Sequence, residues 1–173
     1  MAPPPQDGSP PAQLVHPPYL FLGDKTAASA DFLTAHGIKH VVSVGIECDA
    51  ERIAGVDYHH VPLSQKEPEI GPAVAVANEL IRAAITAGEP ILVHCRHGQS
   101  RSVTIVTAFL MQEYNMTLKG ALGQIVRARN YASPNSNFTG QLQALDVSLH
   151  GTCSLVCTRL PSDIQERLAM LAG

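Results

Sequence analysis

Tryptophan is absent from this 173-residue chain, and aromatic residues together make up only 5% of it. A core without large aromatic anchors must be filled by Val, Ile, Leu and Ala. Charge is scarce too: 16% of residues are charged, and the formal net charge is −3. No basic tract stands out against that mild acidity, so no nucleic-acid partner is expected. No apolar run approaches the roughly 20 residues needed to cross a bilayer, which predicts no transmembrane segment. Nor does a secretory-type apolar leader open the chain. Cysteine is limited to Cys48, Cys95, Cys153 and Cys157. Four cysteines allow three pairings on paper, but without a leader the expectation is reduced thiols in the cytoplasm, with access to the nucleus open. Cys153 and Cys157, four apart, read as small buried residues on a helix rather than as metal ligands. Neither a metal nor a cofactor is expected.

What is present is an apolar content of 45%, enough for one core of ordinary size and against wholesale disorder. The opening "MAPPPQDGSPPAQ" (1–13) is Pro-rich and polar and reads as a disordered tail. "YLFLG" (19–23) reads as a short edge strand, and "ASADFLTAHG" as a short helix closed by Gly37. "IKHVVSVG" (38–45) and "YHHVPL" (58–63) follow as strands, the second stopped by Pro62, and "SQKEPEIG" as a loop. A helix is predicted from about Pro72 to Ala87, closed by Gly88, and then a buried strand "PILVH". Four helices complete the chain, the last with Ser162 and Gln165 at capping-box spacing. Strands alternating with helices predict an α/β fold: a central, mostly parallel twisted sheet flanked by helices on both faces. Residues 14–150 form the expected domain, and 151–173 a helical extension packed on it. The apolar stripe Ile164, Leu168 and Leu171 suits intramolecular packing or a weak dimer.

The stretch "HCRHGQSRS" (94–102) joins the strand "PILV" to the helix "SVTIVTAFL". A loop there can turn its backbone N–H groups inward and add the free donors of the helix's first turn, which makes an anion cradle. Gly98 relaxes the backbone in mid-loop. Arg101 offers a planar fork matched to two phosphate oxygens. The same field favours thiolate over thiol at Cys95 and places it for in-line attack on phosphorus. His94 is expected to hold the loop and the sulfur in position. Ser102 can offer its hydroxyl to the sulfur as leaving group. Arg96, His97, Gly98, Gln99, Ser100 and Arg101 form the predicted phosphate-binding run.

"HCRHGQSRS" resembles the His-Cys-x-x-Gly-x-x-Arg-Ser signature of the cysteine-dependent protein phosphatases. "YLFLGDKTAASADFLTAHGIKHVVSVG" and "LKGALGQIVRARNYASPNSNFTGQLQALD" are similar to the opening and closing segments of their small, atypical dual-specificity branch. The resemblance runs from about residue 15 to residue 150. It implies Cys95 as nucleophile, Arg101 as phosphate clamp, Ser102 as leaving-group helper and Asn135 as a support for the loop. It also implies a phosphorylated protein or peptide as partner, with phosphotyrosine and phosphoserine/phosphothreonine both admitted. Arg96 and His97 leave a phosphoinositide open as substrate, and RNA 5′-phosphate is a further option. Some family members trap the nucleophile as a disulfide with a second cysteine, which assigns Cys48 as a candidate redox partner.

The pattern breaks at the proton donor. The family supplies an aspartate about thirty residues before the cysteine, as phosphomonoester cleavage requires an acid for the leaving oxygen. Here Ser64 and Gln65 stand in that place, and no aspartate occurs between Asp57 and Cys95. Three readings compete. Glu67, or less favourably Glu69, takes the role; or good leaving groups make a strong acid unnecessary; or the domain binds phosphorylated ligands with little turnover. His59 and His60 point to opposite sides of a strand, so one of them can face the site.

Overall fold

The computed structural model describes residues 8–173. Five strands form one sheet: β1 (Ala12–His16), β2 (Leu20–Gly23), β3 (His40–Val44), β4 (Asp57–Val61) and β5 (Ile91–His94). Their spatial order is β1-β2-β5-β3-β4; β1 runs antiparallel to β2 and all other neighbours are parallel. This is an α/β fold with a mixed, mostly parallel sheet. "YLFLG" is therefore not an edge. Ala12–His16 covers β2 and takes the edge itself, so two residues assigned to the tail, Ala12 and Gln13, belong to the sheet. The rest of the tail up to residue 7 lies outside the described residues.

Alternation along the strands divides the apolar side chains between two faces. Leu20, Leu22, Val42, Val44, Ile91 and Val93 point into the larger core. There they meet α2 (Gly71–Ala87), α3 (Arg101–Glu113), α4 (Leu118–Ala128) and α5 (Ser136–His150). Phe21, Val41 and Leu92 point the other way, onto a 3-10 turn (Lys25–Ala28) and α1 (Ala30–Ala35). α3 is the central helix: every residue from Ser102 to Met111 is buried. Its first turn is thereby fixed against the end of β5. Among the described residues no helix is long and apolar enough to cross a membrane.

The last segment carries α6 (Ile164–Met170), with Leu155, Leu160 and Leu171 buried in the larger core. Its N-cap is Asp163, which accepts from the backbone N–H of Glu166. The cap thus lies one residue beyond the Ser162 assignment, because the carboxylate is the better acceptor at a helix start. Cys153 and Cys157 are not on a helix. They lie half-buried on a loop whose Leu155 and Cys157 carbonyls accept from Gln143. Burial pushes the Cys157 thiol pKa up.

Asp146 joins this loop to the domain. One carboxylate oxygen accepts from Leu118 N at 2.9 Å; the other accepts from both Ser154 N and Ser154 Oγ at 2.6 Å. Burial raises its pKa, but the Ser154 and Leu118 donors outweigh that and hold the carboxyl below its ordinary value. Its contribution to stability is therefore fully present above the ordinary carboxyl range and is lost as pH falls through the lowered folded value. Asp146→Ala leaves buried donors unpaired and should cost about 3 kcal/mol, read as a lower urea midpoint at neutral pH. The gap between variant and parent should narrow in acid.

Candidate active site

The cradle is built where β5 ends between β2 and β3 and α3 begins. Cys95 is 2% exposed and sits at its base, with Sγ 3.2 Å from Ser102 Oγ. The amides of residues 95–101 can face inward only if their carbonyls are satisfied outside, since a buried backbone group without a partner is costly. All six carbonyls from Cys95 to Ser100 find such partners. His94 Nδ1 lies 3.2 Å from Cys95 O, and Lys25 N donates to Arg96 O at 3.3 Å. The Arg129 guanidinium donates to His97 O at 3.4 Å and Gly98 O at 2.8 Å. Ser133 N donates to Gln99 O, and Thr104 N to Ser100 O, both at 2.8 Å.

His94 is buried, and burial lowers its pKa. A neutral ring beside a carbonyl, which only accepts, must carry its proton on Nδ1. Nε2 then accepts from Ser43 Oγ on β3 at 2.7 Å. Gly98 has φ +61°, and a Cβ there would lie 2.3 Å from an Arg129 nitrogen and 2.5 Å from Gly23 O. Only glycine fits that approach. Ser100, at the N-cap of α3, makes no cap bond to its own helix. Its hydroxyl instead accepts from Asn135 N at 3.0 Å.

Arg101 donates from Nη1 to Gly45 O at 2.7 Å, while its buried Nε has no protein partner. Gly45 has φ +68°, and a Cβ there would stand 2.7 Å from Arg101 Nη1. Beside Arg101 opens a cleft of about 430 Å³, lined also by His60, Ser64 and Gln65. Asn135 Nδ2 fixes the Gln65 side of this cleft, donating to Gln65 O at 2.9 Å and Gln65 Oε1 at 3.0 Å. Asn135 Oδ1 accepts from Phe138 N and caps α5. One residue therefore joins the cradle through its backbone N–H, and the facing loop and a helix start through its side chain.

Glu67 is not among the residues lining that cleft. Its backbone carbonyl is held on α5 by Asn137 Nδ2 at 2.9 Å and Gln141 Nε2 at 2.8 Å. Its carboxylate engages in no hydrogen bond or ion pair among the described residues. His60 faces the cleft and lies 3.6 Å from Glu47, whereas His59 stacks towards His40. Arg96 is exposed at the rim and His97 is partly exposed beside it. Burial, then Arg96 and Arg101, lower the pKa of His97. Cys48 packs with Ala50, Ile53 and Val56 against the smaller cluster, on the opposite face of the sheet from the core that holds Cys95. Sequence reasoning did not single out Ser43, Gly45 or Arg129. Their roles arise from contacts at separations of 31 to 56 residues along the chain.

Residues 20–147 match the family model for the dual-specificity phosphatase catalytic domain. The chain belongs to the dual-specificity branch of the cysteine-dependent phosphatases. It is 35% identical to rat dual specificity protein phosphatase 7 over 176 residues, covering 91% of this chain but 40% of that protein. A crystal structure of human DUSP28 superposes with a TM-score of 0.72 at 31% identity, covering 86% of this chain and 99% of that one. A mouse dual-specificity phosphatase relative, crystallised with zinc tungstate, gives 0.75 at 31% identity, covering 85% and 93%.

The buried, neutral His94 carries a pH signature. Below the ordinary imidazole value of about 6.5 the unfolded chain gains a proton that the folded ring resists. Stability from this group is thus present above that value and falls as pH drops towards the lowered folded one. Urea midpoints compared between pH 7.5 and pH 5.5 should fall for the parent, and fall less for His94→Gln.

Proposed function

We propose that the chain removes phosphate from phosphotyrosine and phosphoserine/phosphothreonine in proteins through a cysteinyl-phosphate. The observation that supports this best is the pairing of a cradle whose carbonyls are all held outward with a sulfur at its base, 3.2 Å from a serine hydroxyl. The Cys95 thiolate attacks phosphorus in line, the phosphorus–oxygen ester bond breaks, and the leaving oxygen takes a proton. Water then attacks phosphorus, the phosphorus–sulfur bond breaks, and Ser102 Oγ–H stabilises the returning thiolate. The cradle amides and the Arg101 fork stabilise the charge on the transferring group. The tungstate bound by the mouse relative is a tetrahedral oxyanion, in keeping with such a cradle.

Glu67 is the donor this reading assigns: it does not line the cleft, but its carboxylate has no partner among the described residues and its loop is anchored to α5 next to the cleft residues Ser64 and Gln65. A second reading, a phospho-ligand-binding module with little turnover, draws on Ser64 and Gln65 lining the cleft where a carboxylate would be expected. A pH–rate profile on an aryl phosphate separates the two. The parent should turn over with a falling basic limb, and Glu67→Gln should lose that limb and about a hundredfold or more in rate on poor leaving groups. An unchanged Glu67→Gln profile would remove Glu67 from the scheme. Cys95→Ser should abolish turnover while keeping phosphopeptide affinity; a parent that binds such peptides without turnover would establish the binding module instead.

A further inference from the structure

Arg129 lies just past the last turn of α4, and its side chain is 0% exposed. A buried guanidinium is tolerated only where its donors are used and its charge is met. Nε and one terminal nitrogen hold Gly98 O and His97 O, the two carbonyls in the middle of the phosphate loop. The other terminal nitrogen donates to Gln13 Oε1 at 2.5 Å and Pro11 O at 3.3 Å. An Asp24 carboxylate oxygen stands 3.8 Å away, and the Tyr131 ring lies 4.5 Å from the guanidinium carbon.

Two consequences follow for the loop. Drawing consecutive carbonyls back onto one cation turns the neighbouring peptide N–H groups towards the bound anion. The fork also places a positive charge behind the cradle. Burial acts against that charge and lowers the Arg129 pKa, while Tyr131, Asp24 and Cys95 act the other way.

We propose that Arg129 is a positioning residue for chemistry at Cys95, and that Pro11 and Gln13 belong to the same device, tying the N-terminal segment to the phosphate loop. The inference rests on Cys95 being the nucleophile. It predicts that residues 11–13, which look like the end of a dispensable Pro-rich tail, set the shape of the site. Gln13 holds the far side of the fork, so its loss lets the guanidinium shift and the two loop carbonyls with it.

Three substitutions test it, Arg129→Met, Arg129→Lys and Gln13→Leu, each with a thermal melt as a fold check. The readouts are kcat and KM on an aryl phosphate, inhibition by vanadate, and the rate of Cys95 alkylation by iodoacetamide at neutral pH. Arg129→Met should lower kcat/KM by about 10–100-fold, since displacement of reacting groups by 1 Å can cost that much. It should weaken vanadate by a similar factor and slow alkylation. Arg129→Lys keeps the charge but not the fork, so it should restore alkylation more than vanadate affinity. Gln13→Leu should weaken vanadate several-fold with alkylation little changed. Folded Arg129→Met with vanadate inhibition and alkylation at parental levels would overturn the proposal. If that variant does not fold, parental vanadate inhibition in both Arg129→Lys and Gln13→Leu would do so. Should the parent itself show no turnover, Arg129-dependent vanadate binding and alkylation would still uphold the positioning role while the phosphatase reading fell.

Discussion

An anion cradle made of peptide N–H groups is a statement about carbonyls. Each peptide plane that turns its N–H towards the ligand turns a C=O away from it, and that oxygen needs a donor on the outside. From Cys95 to Ser100 the donors come from a strand-end histidine, the 3-10 turn, the end of α4, the segment before α5 and α3 itself. Loop shape is thus imposed by the surrounding fold rather than by the loop's own residues. The sheet and helices act as a mould, and the sulfur at the base takes its place from it.

The same economy governs the facing wall. Asn135 holds Ser100 on one side and Gln65 on the other, and caps α5 with its remaining oxygen. Asn137 and Gln141, further along α5, hold the carbonyl of Glu67. The segment 64–67 is therefore docked on α5 as a shaped edge of the cleft. With glutamine and serine at its tip, that edge offers hydrogen bonds where the family expects a proton. The facing edge is thus the place where this chain departs from the family pattern it otherwise follows.

The cradle was legible in the sequence because its parts are neighbours. Cys95, Gly98, Arg101 and Ser102 lie within eight positions, and an apolar strand before them and an apolar helix after them set their geometry. The parallel sheet was legible for a similar reason, through alternating short strands and helices. Ala12–His16 was hidden by the prolines around it, although its own pattern suits a strand. Arg129 was hidden differently. An arginine in a basic final turn looks the same whether it meets water or a phosphate loop, and only the tertiary fold decides. The Cys48 assignment rested on its closeness to a strand end; Cys48 lies on irregular chain beyond β3 and packs against the smaller cluster, whereas Cys95 belongs to the larger core.

The hydrogen bond between Ser43 and His94 is a fully buried polar link between two strands whose other buried side chains are apolar. The strands pair with Ser43 opposite His94 and Val42 opposite Val93. A slip by one residue would set the ring against a valine and expose its nitrogen to hydrocarbon, besides turning every side chain to the wrong face. The pair thus works as a registration mark. The strand that aims the cradle can be correctly aligned in only one way, and the chain checks that alignment one residue before the sulfur.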